Sequence, residues 1–215
     1  MTEVRVKICG LSSEATLDAA LDAGADLVGF VHFPRSPRHV ALDQGGRLAV
    51  RARGRAERVV LLVDPDDTLL RDAIAAFDPD LIQLHGRETP ERVAEIRART
   101  GRPVMKAVGI ASIEDLRALP AYAAVADRLL LDAKPPPGAD LPGGNGRSFD
   151  WDILTRAALP PATMLSGGLD AGNVAAALAR TGLSAVDVSS GVGVRPGEKD
   201  PAKIAAFVMA ARRQA

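Results

Sequence analysis

The chain has 215 residues, 47% of them hydrophobic and 25% charged, which is enough for a substantial buried core. Its 27 basic and 27 acidic residues cancel and aromatics make up only 3%, which excludes a global field for nucleic acid or an anionic membrane and argues against a base-stacking surface. The longest apolar runs, such as Val59 to Val63, fall far short of the ~18 residues of a spanning helix, and Met1 to Arg5 lacks an apolar signal core, so a cytoplasmic protein is expected.

Val4 to Cys9 is the first predicted strand, and it ends on the sole cysteine just before Gly10. One cysteine cannot form an intrachain bridge, which fits a reducing compartment. A thiol held where a strand opens into a Gly-containing loop is a candidate acid-base group; taken alone it reads more readily as a buried apolar residue. Leu17, Ala20 and Leu21 stripe a first amphipathic helix that Gly24 would close, and Asp26 to Val31 is the second strand. Gly45 and Gly46 weaken the start of the second helix, whose apolar stripe is only Leu48, Ala49 and Ala52. Arg47, Arg51, Arg53, Arg55 and Arg58 form a basic run without interleaved aromatics, which reads as a solvated helix face.

Arg58 to Val63 is the third strand, Leu69, Leu70, Ala73, Ile74 and Phe77 stripe the third helix, and Leu81 to Leu84 is the fourth strand. The passage Gly24-Ala25-Asp26-Leu27 is echoed by Asp78-Pro79-Asp80-Leu81, a weak repeat signal. Thr89-Pro90 opens the next helix with a capping oxygen and a proline at its first position. Val104 to Val108 is the fifth strand, Ser112 with Asp115 resembles a capping box, and Arg128 to Asp132 is the sixth strand. A long Pro- and Gly-rich connection, Lys134 to Ser148, then follows, and its position directly after Asp132 suggests a lid. Thr163 to Ser166 and Ala185 to Ser189 complete the strands, Gly182 closes the helix between them, and Asp200-Pro201 opens the last helix.

Eight such alternations with no Gly-, Ser- or Pro-rich divide between domains predict an α/β chain, a single-domain (β/α)8 TIM barrel over residues 1–215 with its active site on the C-terminal face. A doubly wound open sheet is the alternative, because alternation alone does not prove closure. In the barrel, Leu165-Ser166-Gly167-Gly168-Leu169 and Val188-Ser189-Ser190-Gly191-Val192-Gly193 follow strands seven and eight, the usual phosphate position of this fold. Glycine backbone and serine hydroxyls suit phosphate oxygens, so Gly167, Gly168, Ser189, Ser190 and Gly191 are the candidate phosphate site. Neither loop is a Walker loop. His32, His39 and His85 lack ligand-like spacing, and no metal is expected.

Together these residues resemble the phosphoribosylanthranilate isomerase family of tryptophan biosynthesis. The likeness runs through Lys7-Ile8-Cys9-Gly10, Gly24-Ala25-Asp26 with Gly29-Phe30-Val31, Ser36-Pro37-Arg38, Gln83-Leu84-His85-Gly86 and Lys106-Ala107-Val108. It continues through Leu129 to Asp132, Gly143-Gly144 with Gly146, Phe149-Asp150-Trp151, the two glycine loops, and Pro196-Gly197-Glu198-Lys199-Asp200. The resemblance implies an Amadori rearrangement of an aminoaldose to a ketose without cofactor or metal. It implies Cys9 as general base, Asp132 as general acid, Arg38 on the anthranilate carboxylate, and His85 and Asp187 as further substrate contacts. It also implies a small phosphosugar-anthranilate substrate as the partner, no nucleic acid or membrane, and a monomer or weak homodimer. A cation near Cys9 and an apolar setting for Asp132 would tune the two groups; Lys7 shares the strand face of Cys9 one layer deeper.

The chain departs from the pattern at His32, where an aromatic is common, at Asn145, where a small hydroxyl residue is usual, and at Gly193, often Glu. A histidine-pathway aminoaldose isomerase would share loops and reaction type but use aspartates at strand ends one and five, where this chain has Cys9 and Lys106-Ala107-Val108. A catalytically silent phosphosugar-binding barrel would have lost the acid or the base.

Overall fold

The computed structural model describes residues 4–135, 138, 141, 143, 146 and 148–213. Eight strands close into a parallel barrel in chain order, β1 (Arg5–Cys9), β2 (Leu27–Val31), β3 (Glu57–Leu62), β4 (Leu81–Leu84), β5 (Val104–Ile110), β6 (Arg128–Ala133), β7 (Thr163–Leu165) and β8 (Ala185–Val188). β1 pairs with both β2 and β8, with Lys7 opposite Asp187 and Cys9 opposite Gly29, so the open-sheet alternative is excluded. All eight strands expected from sequence are present, with ends shifted by one or two residues.

Alternation sorts the side chains. Val6, Ile8, Val28, Phe30, Val60 and Leu62 face outward into a continuous core beneath the helices, whereas Leu27, Val59, Leu81, Met105, Leu130 and Met164 fill the barrel interior. Above that plug Cys9, Val31 and Leu61 form a separate small cluster near the mouth. The apolar layer closes the interior below the C-terminal mouth, to which the period of two brings Cys9, His85, Asp132, Ser166 and Asp187, while Arg5, Glu57 and Arg128 pair at the opposite end.

The helical layer comprises α1 (Glu14–Asp22), α2 (Leu42–Ala52), α3 (Asp67–Phe77), α4 (Pro90–Thr100), α5 (Leu119–Ala123), α6 (Val174–Thr181) and α7 (Pro201–Arg212). Thr89 and Asp200 cap α4 and α7 as expected, and the Asp115 carboxylate accepts the Ser112 N–H at 3.0 Å to open a 3-10 turn before α5. Gly182 is a left-handed C-cap, but α1 ends on right-handed Ala23 and Gly24 takes its positive φ of 81° one residue later. The sixth unit differs from a regular strand-helix pair. Its helical segment is only a 3-10 turn, Trp151–Arg156, packed against α6.

Two further features escaped the sequence. After β8 and a 3-10 turn at Ser190–Val192, the chain forms a small antiparallel hairpin, β9 (Gly193–Arg195) with β10 (Glu198–Lys199). Gly193 stands opposite Lys199 in that hairpin. And Gly45 and Gly46, which look like helix-weakening residues, are what let α2 approach α3. A Cβ on Gly45 would sit 2.1 Å from the Phe77 ring, and one on Gly46 would sit 2.8 Å from the Ala76 carbonyl. The basic run is also not uniformly solvated: Arg51 and Arg55 pair with Asp18 and Asp22 of α1, and Arg58 is buried on Asp80. His32 packs its ring against His39 and Phe77, and its Nδ1 lies 2.8 Å from the Val40 carbonyl.

Candidate active site

A cavity at the C-terminal mouth is lined by Cys9, Arg38, His85, Asp132, Asp187 and the loops after β7 and β8. Its base is a charged pair. The Lys7 ammonium is completely buried and donates to Asp187 at 2.7 Å, while the Ser166 hydroxyl donates to the other Asp187 oxygen at 2.9 Å. Lys7 shares the strand face of Cys9 one layer deeper. Burial pushes the Cys9 thiol above its ordinary value, against the pull of Lys7 and Lys199, and Asp187 pushes the same way as burial. Burial opposes the charge of Lys7 too, but Asp187 and Cys9 together outweigh it and push that ammonium above its ordinary value. The sulfur has room because its neighbour on β2 is Gly29, where a Cβ would approach Sγ to 2.9 Å.

Across the mouth, Asp132 accepts the Ala133 N–H at 2.9 Å and faces His85 Nε2 at 3.2 Å. The Gln83 side-chain amide donates to Nδ1 of the same imidazole at 2.9 Å, which holds the ring toward Asp132. The groups facing Asp132 are thus polar, a backbone amide and an imidazole. In the register, the residue beside Asp132 on β5 is Gly109, so the strand-five carboxylate of the histidine-pathway alternative has no counterpart at the mouth. Lys106 faces the helical layer, where it pairs with Glu88 at 2.8 Å.

Arg38, expected in the loop after β2, is there but is 7% exposed rather than solvated. Its stem packs on Gly10, whose hypothetical Cβ would lie 2.7 Å from Arg38 Cδ, and the positive φ of 77° at Gly10 completes that turn. The two glycine loops meet at the mouth. Gly167, Gly168, Ser189 and Ser190 line the cavity, and the backbone of the adjoining Gly191 is pressed so closely on the Leu169 carbonyl that any Cβ would collide at 1.9 Å. Of the long connection after β6, Leu141, Gly143 and Gly146 also line the cavity; a Cβ on Gly143 would come within 2.3 Å of His85 Nε2 and 2.7 Å of the Asp132 carboxylate. Gly144 and Asn145, and with them much of the expected lid, lie outside the described residues.

Two contributors were missed as site residues. Gln83 was visible as a polar residue inside the apolar run Leu81 to Leu84. Lys199 follows the hairpin turn, and its ammonium donates to the Ser189 carbonyl at 2.6 Å and to the Ser189 hydroxyl at 3.0 Å. Burial lowers it to about 8. Nothing in local spacing shows that a residue past β8 folds back to the mouth. Among the described residues no group of three or more His, Cys, Asp or Glu is placed to hold a metal ion, and no helix is long and apolar enough to cross a membrane.

A thiol and a carboxyl group on separated strands, above paired glycine loops, define a (β/α)8-barrel enzyme built for acid-base chemistry. The family model described as N-(5'phosphoribosyl)anthranilate (PRA) isomerase matches residues 6–210. A protein of that name from Azorhizobium caulinodans is 64% identical over 97% of this chain and 92% of its own length. The solved phosphoribosyl anthranilate isomerase from Thermotoga maritima is 34% identical and superposes with a TM-score of 0.85, over 98% of this chain and 99% of that one. A phosphoribosyl anthranilate isomerase solved in complex with reduced 1-(o-carboxyphenylamino)-1-deoxyribulose 5-phosphate is 33% identical with a TM-score of 0.82, over the same shares. The chain belongs to the N-(5'-phosphoribosyl)anthranilate isomerase family.

Proposed function

We propose that Cys9 and Asp132 divide the two proton transfers of this reaction between them. The chain is an isomerase that converts N-(5'-phosphoribosyl)anthranilate to the 1-(2-carboxyphenylamino)-1-deoxyribulose 5-phosphate ketose, a step of tryptophan biosynthesis. Asp132 gives its proton to the furanose ring oxygen, the C1–O bond breaks, and the anthranilate nitrogen becomes a protonated Schiff base. The Cys9 thiolate then removes the proton from C2, and the C–H electrons neutralise the iminium as an enamine, which tautomerises to the ketone. The observation that carries this reading is that Cys9 and Asp132 line one cavity from β1 and β6, so they can address different faces of a single sugar.

Arg38 suits the anthranilate carboxylate because its planar fork is held by packing at the rim of the cavity. Gly167, Gly168, Ser189, Ser190 and Gly191 bind the phosphate. His85 orients Asp132 and meets the substrate. Asp187, with both oxygens already engaged by Lys7 and Ser166, meets it with the remaining lone pairs. The chain works in the cytoplasm as a single barrel domain, monomer or weak homodimer, and its partner is the small substrate alone. Purified protein mixed with freshly prepared N-(5'-phosphoribosyl)anthranilate is expected to quench the substrate fluorescence at a rate proportional to enzyme; decay no faster than in buffer would refute the reading.

A further inference from the structure

A buried thiol whose proton is held by desolvation needs a positive charge to serve as a base, and the mouth contains more than one cation. Four charged groups act on Cys9 or on its immediate surroundings: Lys7 from β1, Asp187 from β8, Lys199 from β10, and Arg38 from the loop after β2. Lys7 pulls on the thiol more strongly than Lys199 does, but its charge is matched by Asp187 at 2.7 Å on the adjacent strand. Removing water from that pair strengthens the match, so the pair presents little net charge to the thiol. Arg38 stands at the rim, where the substrate carboxylate would occupy it.

Lys199 differs from both. It is 6% exposed and its ammonium is held by the main-chain and hydroxyl oxygens of Ser189, with no carboxylate within ion-pair distance among the described residues. Ser189 abuts the turn that follows Cys9, since a Cβ on Gly10 would fall 3.1 Å from the Ser189 hydroxyl. The hairpin that carries Lys199 is itself anchored: Gly197, at φ 87°, turns so close to the Pro37 carbonyl that a Cβ would meet it at 2.4 Å. A cation is thus buried, fixed by two neutral acceptors and, among the described residues, without a carboxylate in ion-pair distance, close to the turn that follows Cys9.

Building on the reading of Cys9 as general base, we propose that Lys199 is a positioning residue that supports the Cys9 thiolate by charge, the hairpin of β9 and β10 serving to deliver it. Burial, helped by Arg38 and Lys7, holds Lys199 near 8 although Cys9 and Asp187 raise it; by the same coupling, a charged Lys199 lowers the thiol. The proton that leaves Cys9 therefore does so against an ammonium already in position.

Because Cys9 is the only cysteine, alkylation by neutral iodoacetamide reports on this thiol alone. Lys199→Met and Lys199→Gln, the second able to keep a hydrogen bond to Ser189, are expected to move the alkylation midpoint up by about one pH unit or more, so that alkylation at neutral pH slows about tenfold. kcat should fall in parallel with little change in KM, and Lys199→Arg should restore both. A natively folded neutral variant that alkylates on the wild-type profile would overturn the proposal. So would an unmoved profile with a raised KM, which would assign the cation to a substrate anion instead. Failure of the base reading is separable, because it would appear as near-wild-type turnover in Cys9→Ser, whatever Lys199 does to the thiol.

Discussion

Arg38 shows how burial changes the meaning of a single residue. A solvated loop arginine could be replaced with little effect on folding, but this one packs on Gly10 and is nearly inaccessible. Arg38→Ala should raise KM about 10- to 100-fold, as expected for losing charge-assisted hydrogen bonds worth about 1.5 to 3 kcal/mol. It should also lower stability measurably in urea titration, because the arginine stem leaves a gap beside β1. Unchanged steady-state constants would remove Arg38 from substrate binding. Gly143 is the complementary case. Gly143→Ala puts a methyl onto His85 and Asp132 and should reduce kcat at least about tenfold, by displacing reacting groups whose alignment governs rate. Because Gly143 lies in an irregular loop, the midpoint of thermal unfolding should hardly move; a large stability loss with intact specific activity would contradict its place against the catalytic pair.

Among the elements, the junctions before alternate strands carry a device that the sequence only hinted at. Asp26, Asp80 and Asp127 precede β2, β4 and β6, and each accepts the N–H of a residue in the preceding strand, Val6 at 2.7 Å, Arg58 at 2.8 Å and Val104 at 2.9 Å. The backbone N–H of each aspartate returns a bond to the same residue at 2.9 Å. The first two members were legible as an echo of Ala-Asp-Leu and Pro-Asp-Leu; the third was hidden because Arg128 follows Asp127 where an apolar residue stands in the others. Side-chain hydrogen bonds from Arg58 and Arg97 hold Asp80 and Asp127 below the ordinary carboxylate value. A depressed carboxylate adds stability above its unfolded value near ~3.9, and that stability is lost as pH falls through the lower folded value. Asp127→Asn should therefore destabilise the fold at neutral pH and flatten the acid-induced loss below about pH 4. A denaturation series from pH 2 to 7 in which the variant and wild type stay parallel would exclude the role, and activity per folded molecule should be unaffected.

Helix α2 makes the same point from the opposite side. Its glycines read as weakness by propensity, yet they are contact sites with α3, information that exists only once Phe77 is folded against them. Gly45→Ala should gain helix propensity and still lose about 1 to 3 kcal/mol from overpacking, visible as a lower urea midpoint.

Taken as a whole, the molecule sets a hydrophobic plug beneath a polar mouth, so the strand-end positions of Cys9, Asp132 and the two glycine loops were legible without coordinates, while the roles of Cys9 and Asp132 came from the family resemblance. Each stands at a strand end, and strand ends follow from local pattern. Lys199, Gln83 and the close approach of Gly191 to Leu169 were not assigned roles, because they depend on distances between segments far apart in sequence. At this scale the loops after β7 and β8 should act as one anion site, so titration with inorganic phosphate should perturb the amide shifts of Gly168 and Gly191 together, and a product-like ligand should compete. Shifts confined to another face would sink that assignment. The division of labour between Cys9 and Asp132 is tested most directly by following exchange of the substrate C2 proton with solvent in Cys9→Ser and Asp132→Asn. Cys9→Ser should fold and lose ~10²- to 10⁴-fold of its turnover, with C2 exchange suppressed. Asp132→Asn should stall on the closed ring yet recover partly with substrate supplied already ring-opened. Near-wild-type turnover and C2 exchange in Cys9→Ser would contradict the account and leave Cys9 a packing residue.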